Sequence, residues 1–212
     1  MTASAPWPKL RRNLVAILRG VTPDEIAGIG EAIYDAGIEA IEVPLNSPDP
    51  FRSIETLARR LPGGLVGAGT VVRLDDVGRL DQAGGRLLVS PNVDPDILAR
   101  AAGFGMVTMP GVFTATEAFL AHHCGASALK FFPASVLGPA GISALKAVLP
   151  REVVIGVVGG VSDTDFAAYA KVGVTAFGLG SSLYKPGLDH AEVGKRAKVA
   201  VAAYDAVFGG TA

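Results

Sequence analysis

Residues 40–61 read AIEVPLNSPDPFRSIETLARRL and contain one complete structural unit. The stretch opens with a nearly continuous apolar run, Ala40–Leu45, which is typical of a strand that is covered on both faces. A turn follows in which Ser47 supplies a capping side chain and Pro48, Asp49 and Pro50 favour the first turn of a helix. The helical stretch Pro50–Leu61 comes next. The pattern predicts a strand followed at once by a helix.

The same unit repeats along the whole chain. Eight short apolar runs predict strands at Leu14–Leu18, Ala40–Leu45, Leu65–Thr70, Leu87–Pro91, Met106–Gly111, Ala128–Pro133, Val153–Gly160 and Ala176–Ser181. Between them, helices are predicted at Pro23–Ala36, Pro50–Leu61, Pro95–Ala102, Ala115–His122, Ile142–Leu149 and Asp163–Val172, and a long helix at Ala191–Phe208 closes the chain.

Eight alternating strands and helices predict an α/β fold, a (β/α)8 TIM barrel with parallel strands. The alternative is a doubly wound open sheet. That fold usually carries a G-x-G-x-x-G turn after its first strand, and residues 18–22 (LRGVT) are not such a turn. No linker or shift of composition divides the chain, so residues 1–212 are expected to form a single domain.

Composition and charge limit the kinds of partner and the cellular compartment that are expected. The 212 residues include 19 Lys and Arg and 20 Asp and Glu, and this balance argues against a nucleic-acid partner. No apolar run approaches the roughly 18 residues of a membrane span, so no membrane association is expected. Cys124 is the one cysteine, which fits a reducing, cytoplasmic compartment. Because His122, His123 and Cys124 are consecutive, their side chains diverge on a helix, so neither a metal site nor another cofactor is expected.

Lys130 is the most unusual polar residue, because it lies inside the apolar strand run Ala128–Pro133 beside two phenylalanines. In a barrel of this kind the active site lies at the carboxyl ends of the strands. An apolar environment lowers the pKa of a lysine, and the neutral amine can attack a carbonyl to form a Schiff base. The competing interpretation is a buried lysine that is paired with a carboxylate or reaches the barrel mouth.

Glu42, Arg19 and Thr70 also interrupt or follow apolar strands. Glu42 fits a general acid or base, or else a salt bridge to Arg19 or Lys130. Arg19 fits a bidentate ligand for a substrate carboxylate, or a structural partner of Glu42. Thr70 ends the run Gly67–Thr70, where it offers a hydroxyl to a carboxylate or serves barrel packing alone.

Two glycine-rich turns follow the last two strands. They are residues 158–162 (VGGVS) and 178–182 (GLGSS). In this fold the loops after strands seven and eight commonly bind phosphate through backbone N–H groups and a helix N-terminus. The two turns together predict a phosphate site, and no Walker A motif indicates a nucleotide.

Several motifs resemble one family across about Leu14 to Gly187. They are IEVPLNSP at 41–48, VGAGTV at 66–71, SPN at 90–92, MPG at 109–111, ALKFFP at 128–133 and VGGV at 158–161. With these motifs the chain resembles the bacterial 2-keto-3-deoxy-6-phosphogluconate and -phosphogalactonate aldolases. The resemblance implies a barrel that assembles as a homotrimer and cleaves a phosphorylated 2-keto-3-deoxy sugar acid to pyruvate and glyceraldehyde 3-phosphate.

The resemblance also implies residue roles. Lys130 corresponds to the Schiff-base lysine and Glu42 to the general acid/base. Substrate-binding positions are implied at Arg19, Asn46, Thr70, Pro91, Phe132 and Val158, and phosphate-binding positions at Gly159, Gly160, Gly180 and Ser181.

Four features favour the galactonate branch of the family over the gluconate branch. Asn46 stands where gluconate-type enzymes typically carry Arg, Ser135 where they tend to have Glu, and Val158 where they tend to have Thr; residues 16–20 (AILRG) are the fourth feature. A residue beside the C4 hydroxyl can distinguish the two epimers by polarity and shape. The alternatives are the gluconate activity of the Entner–Doudoroff pathway, a phosphate-binding barrel isomerase or synthase that does not need Lys130, and a sugar-phosphate sensor without catalysis.

Overall fold

Short strands and helices alternate throughout the computed structural model, which describes residues 3–209. The strands are β1 (Leu14–Ile17), β2 (Ala40–Pro44), β3 (Leu65–Gly69), β4 (Leu87–Val89), β5 (Val107–Met109), β6 (Gly111–Val112), β7 (Leu129–Phe131), β8 (Ile155–Val158) and β9 (Ala176–Leu179). The helices are α1 (Ile26–Asp35), α2 (Pro50–Arg60), α3 (Leu74–Gln82), α4 (Pro95–Gly103), α5 (Ala115–His123), α6 (Ala134–Lys146), α7 (Phe166–Ala170) and α8 (His190–Phe208), and a 3-10 turn, Asp163–Asp165, precedes α7.

The strands form one parallel sheet in the order β5-β4-β3-β2-β1-β9-β8-β7-β6. The first and last strands of this order, β5 and β6, are consecutive in the chain and are separated only by Pro110. The predicted fifth run is therefore one barrel strand that pairs with β4 before Pro110 and with β7 after it. Proline has no N–H to donate to a ladder, which explains the break there. The predicted eight-stranded parallel barrel is confirmed, with its fifth strand split.

Side chains that alternate along each strand build two separate cores. On β2, Ile41 and Val43 belong to the large cluster between the sheet and the helices, whereas Ala40 belongs to the smaller cluster inside the barrel. Trp7 and Leu10, from the N-terminal segment, pack against this inner cluster. Mainly aliphatic side chains thus fill the interior of the barrel, and on β2 the polar Glu42 follows Ala40 on the same face, two residues further along the strand.

The helices differ from the sequence predictions mainly around α6. This helix covers Ala134–Lys146 rather than the predicted Ile142–Leu149, and it is interrupted at Gly138, whose φ is +63°. Pro139 follows the interruption, at the start of the second helical segment, where the N–H that proline lacks would have no intrahelical acceptor. The last helix was predicted at Ala191–Phe208 and begins one residue earlier, after the cap Asp189. Within residues 3–209, no helix is both long and apolar enough to cross a membrane.

Candidate active site

Glu42 and Lys130 lie on opposite walls of the barrel. Glu42 is on β2 and Lys130 on β7, and these strands are four neighbours apart around the ring. Glu42 shares its strand face with Ala40 and Lys130 shares its face with Ala128, and both alanines belong to the inner core. The two charged side chains therefore project into the same interior, where they are 2% and 6% exposed.

The carboxyl group of Glu42 is buried with few interactions that offset the cost of its burial. Its Oε2 atom is buried and has no hydrogen-bond partner among the described residues. Burial raises the pKa of Glu42 to about 7, although the positive charges of Lys130 and Arg19 act in the opposite direction. A carboxyl group with this pKa exchanges a proton readily near neutral pH, which suits a general acid or base.

The amine of Lys130 is also shifted toward its neutral form. Burial is the main cause that lowers the pKa of Lys130, the charge of Arg19 lowers it further, and Glu42 opposes both. The Nζ atom lies 4.8 Å from the centroid of the Phe132 ring. Within residues 3–209, no ion pair of 4.0 Å or less joins Lys130 to Glu42 or to any other carboxylate. The interpretation of Lys130 as half of a contact salt bridge is thus wrong for the described structure.

Arg19 does not serve as a contact partner of Glu42. Its Nη1 atom donates a hydrogen bond of 2.5 Å to Oδ1 of Asn46, and its guanidinium lies 3.4 Å from Oγ1 of Thr70. Thr70 has a φ of +56°, which is unusual for a β-branched residue and costs on the order of 1–3 kcal/mol. These three predicted site residues therefore form one cluster at the carboxyl ends of β1, β2 and β3. Exposed and partly free, the guanidinium can bind a carboxylate.

Ser47 supports this cluster and was not predicted as a site residue. Its Oγ atom accepts a 2.9 Å hydrogen bond from the backbone N–H of Gly20. The bond ties the loop that carries Arg19 to the loop that carries Asn46. The sequence signal for Ser47 is its place in the quoted 41–48 motif. Its interpretation as a helix cap is wrong, because Asp49 is the residue before α2 and no side chain caps that helix within the described residues.

The loop after β8 has the backbone geometry of an anion-binding turn. Gly159 and Gly160 have φ values of +92° and +73°, and a Cβ on Gly160 would lie 2.7 Å from Oγ of Ser135. Both facts require glycine at position 160. Among the described residues, the backbone N–H groups of Gly160 and Val161 find no backbone acceptor. Successive free N–H groups of this kind form a concave site for an anion.

The loop after β9 lies beside that turn. The carbonyl of Gly180 accepts hydrogen bonds of 2.9 Å from the backbone N–H groups of Leu183 and Tyr184. The hydroxyl of Ser182 donates a 3.2 Å bond to the carbonyl of Val161, so the two loops are directly joined. Ser181 is exposed at this surface. Gly180, in contrast, needs no glycine conformation, because its φ is not positive and a Cβ would meet no neighbour within 4 Å.

The remaining predicted substrate positions line the same end of the barrel. Val158 is the last residue of β8, and a Cβ on the neighbouring Gly178 would lie 2.6 Å from its Cγ2 atom. Phe132 follows β7 and approaches Gly159, whose Cβ would lie 3.0 Å from the ring. Pro91 follows β4 and is half-buried. The structure therefore places the predicted site residues in the barrel interior, at Glu42 and Lys130, and around the carboxyl ends of the strands, and two separate groups among them have the chemistry to bind an anion.

The candidate metal ligands lie elsewhere. His122 and His123 end α5, and the next turn, at Gly125, contacts Ala3 of the N-terminal segment. Across residues 3–209, no three His, Cys, Asp or Glu side chains are grouped as metal ligands would be.

Comparison with known proteins gives consistent matches over nearly the whole chain. The family model described as "KDPG and KHG aldolase" matches residues 9–204. A protein of Rhizobium meliloti named "Probable 2-dehydro-3-deoxy-6-phosphogalactonate aldolase" is 59% identical over 206 residues, which are 97% of each chain. The Escherichia coli 2-dehydro-3-deoxy-6-phosphogalactonate aldolase is 44% identical over 192 residues, which cover 90% of this chain and 94% of that protein.

A solved structure shows the same fold. The structure described as "Native KDPGal structure" superposes on this chain with a TM-score of 0.92 at 43% sequence identity. The match covers 96% of this chain and 98% of the solved chain.

Proposed function

The chain belongs to the KDPG and KHG aldolase family, and on that premise we propose that it cleaves 2-dehydro-3-deoxy-6-phospho-D-galactonate to pyruvate and D-glyceraldehyde 3-phosphate. It is then a lyase of carbohydrate catabolism that works through a Schiff base. The single observation that carries the mechanism is the placement of Lys130. A lysine with a lowered pKa faces a carboxyl group across a barrel interior in which neither forms a contact ion pair within the described residues.

Lys130 supplies the nucleophile. The neutral amine attacks the C2 ketone of the substrate to give a carbinolamine, which takes up a proton and loses water to give a protonated imine. This iminium accepts the electron pair of the C3–C4 bond when that bond breaks, which yields an enamine. Protonation of the enamine at C3 and hydrolysis of the imine by water then release pyruvate and regenerate the amine. Burial of Lys130 favours the reaction because it increases the fraction of neutral amine near pH 7.

Glu42 supplies the base. Its carboxylate, directly or through one water, takes the proton from the C4 hydroxyl as the C3–C4 bond breaks and the aldehyde forms. The same group can return that proton to the C3 carbon of the enamine. Its pKa of about 7 allows both directions of transfer at neutral pH.

The two anionic ends of the substrate match the two anion-binding groups. Arg19, with Asn46 and Thr70 around it, would bind the carboxylate of the sugar acid. The turns at Gly159–Gly160 and Gly180–Ser181 would bind the phosphate through backbone N–H groups. Pro91, Phe132 and Val158 would line the space between, with Val158 near the C4 hydroxyl. Binding at both ends orients the bond that breaks.

We further propose that the enzyme is a homotrimer in the cytoplasm. Both proposals are carried over from the resemblance to the aldolase family. Size-exclusion chromatography coupled to light scattering tests this proposal. A trimer should have a mass three times that of the 21.6 kDa chain. A monomer at working concentration would contradict it.

The test of function is pyruvate release from the galactonate and gluconate epimers, measured in parallel with the same enzyme sample. Faster cleavage of the galactonate epimer is expected. Faster cleavage of the gluconate epimer would keep the mechanism and reverse the epimer assignment. Absence of pyruvate with both epimers would leave a phosphate-binding isomerase, a synthase or a sensor as the function.

A further inference from the structure

A hydrogen bond joins the phosphate side of the site to the arginine side. The hydroxyl of Tyr184, in the loop after β9, donates to the carboxylate of Glu25, in the loop after β1. The same carboxylate accepts a 2.8 Å bond from the hydroxyl of Thr22. Tyr184 is 3% exposed and Glu25 is half-buried, so the bond is partly shielded from water, and its loss would leave a buried tyrosine hydroxyl without this partner.

Both partners are close in the chain to residues of the proposed site. The backbone N–H of Tyr184 donates to the carbonyl of Gly180, and this bond closes the turn that holds Ser181. On the other side, Gly20 follows Arg19 directly, and its Cα packs against Pro186, to which a Cβ would come within 2.8 Å. The loop after β9 therefore rests on the loop that carries Arg19.

The loop that carries Arg19 is held by a second hydrogen bond, whereas the turn at Ser181 depends more on Tyr184. Gly20 remains bonded to Ser47 whatever happens at Tyr184. Within residues 3–209, one hydrogen bond, from Ser182 to Val161, joins the turn at Ser181 to the loop after β8. Loss of the Tyr184 hydroxyl is thus expected to loosen the phosphate end and to leave the carboxylate end in place.

We propose that Tyr184, through Glu25, is a positioning residue that fixes the distance between the phosphate-binding turns and Arg19. The inference rests on the proposed function, because it presupposes a substrate with a carboxylate at one end and a phosphate at the other. Tyr184 touches neither end itself. Its effect is to hold the backbone N–H groups of the β9 turn at the separation that this substrate requires, so that binding energy at the phosphate orients the reacting bond.

The test compares two ligands in Tyr184→Phe. The KM for the phosphorylated substrate is expected to rise on the order of tenfold, as when a hydrogen bond to a charged group is lost. Trapping of pyruvate by borohydride is expected to show an unchanged half-saturation, because pyruvate carries no phosphate. Tyr204→Phe is the matched control: it also removes a tyrosine hydroxyl bond, a 3.2 Å bond to the carbonyl of Thr175, and should leave both values unchanged.

Glu25 provides the second pair of variants. Glu25→Gln keeps an acceptor for Tyr184 and should retain a KM near that of the wild type, whereas Glu25→Ala should repeat the effect of Tyr184→Phe. This pair decides the question if Tyr184→Phe does not fold. An unchanged KM in Tyr184→Phe and Glu25→Ala, or an equal loss for substrate and pyruvate, would overturn the proposal. Failure of the wild type to release pyruvate would instead overturn the proposed function.

Discussion

A Cβ on Gly69 would lie 2.0 Å from Oε2 of Glu42. Gly69 is the last residue of β3 and pairs with Pro44 on β2, so its backbone is fixed beside the carboxyl group. The missing side chain leaves the volume in which the Glu42 carboxyl sits. The space for the buried carboxyl group of Glu42 therefore depends on the missing side chain of Gly69 on β3 as well as on β2.

Gly69→Ala should displace the Glu42 carboxyl and lower kcat by at least about tenfold, since loss of general acid–base catalysis costs roughly 100- to 10,000-fold when complete. A methyl group at position 69 would come within 2.0–2.3 Å of the Glu42 carboxyl atoms, so this carboxyl, the far end of a flexible side chain, must leave its position. Steady-state kinetics measure the effect. Gly103→Ala is the control, because a Cβ there meets nothing within 4 Å. Wild-type kcat in Gly69→Ala would show that the carboxyl can move without consequence.

Lys130→Arg should abolish turnover while the protein still folds. Arginine keeps the positive charge but is not deprotonated in proteins, so it cannot form the imine. Pyruvate release and thermal unfolding are measured together. Lys198→Arg, on the exposed face of α8, is the control and should be fully active. If the arginine is too large for the site, Lys130→Met keeps the volume closer and must also be inactive. Substantial turnover in either variant would rule out Lys130 as the nucleophile.

Glu42→Gln should lower kcat less than Lys130→Arg does, by about 100-fold or more. The amide cannot take the C4 hydroxyl proton, but Lys130 remains able to attack a ketone. Imine formation with pyruvate should accordingly be partly retained, as measured by borohydride trapping. Normal rates in this variant would make Glu42 a structural residue only.

The pH profile of kcat/KM should fall on the acidic side of about pH 7. Burial raises the pKa of Glu42 to about 7, and the base must be ionised to accept a proton. Below that pH the carboxyl is protonated and the rate drops tenfold per pH unit. Glu42→Gln should lose the part of this limb that Glu42 causes, and a fall in rate that remains belongs to protonation of Lys130, which must be neutral to attack. A wild-type rate that stays constant down to pH 5 would contradict the assignment of Glu42 as the base.

Glu42 should also make the folded protein less stable as pH rises. Its pKa is higher in the folded chain than the ordinary 4.5, so the folded state binds the proton more tightly than the unfolded state. The free energy of unfolding then decreases between about pH 4.5 and 7, by up to about 3 kcal/mol at roughly 1.4 kcal/mol per pKa unit. Glu42→Gln should remove this decrease, so its stability gain over wild type in urea unfolding should be larger at pH 8 than at pH 5. An equal difference at both pH values would argue against the raised pKa.

The barrel could be predicted because apolar runs and helix-capping turns are local signals that repeat. The split of the fifth strand at Pro110 could not, since the change of partner from β4 to β7 depends on how the ring closes. The start of α6 at Ala134 was missed for a different reason. A glycine and a proline at 138–139 suggest a loop, but the chain continues as a second helical segment beyond Gly138.

The site was predictable where a polar residue interrupts an apolar strand, as at Glu42 and Lys130. Contacts between loops were not. Arg19 was equally compatible with Glu42 and with a substrate, and only the structure shows its bonds to Asn46 and Thr70. The bond between Tyr184 and Glu25 joins residues 159 positions apart, and no local pattern relates them.

Mapping the covalent adduct formed with pyruvate shows whether Lys130 forms the Schiff base. The enzyme is incubated with pyruvate, reduced with borohydride, digested and analysed by peptide mass spectrometry. We expect one reduced pyruvyl adduct on the peptide that contains Lys130, and none in Lys130→Met. An adduct on another lysine, or no adduct although pyruvate is released from the substrate, would contradict the assignment of Lys130.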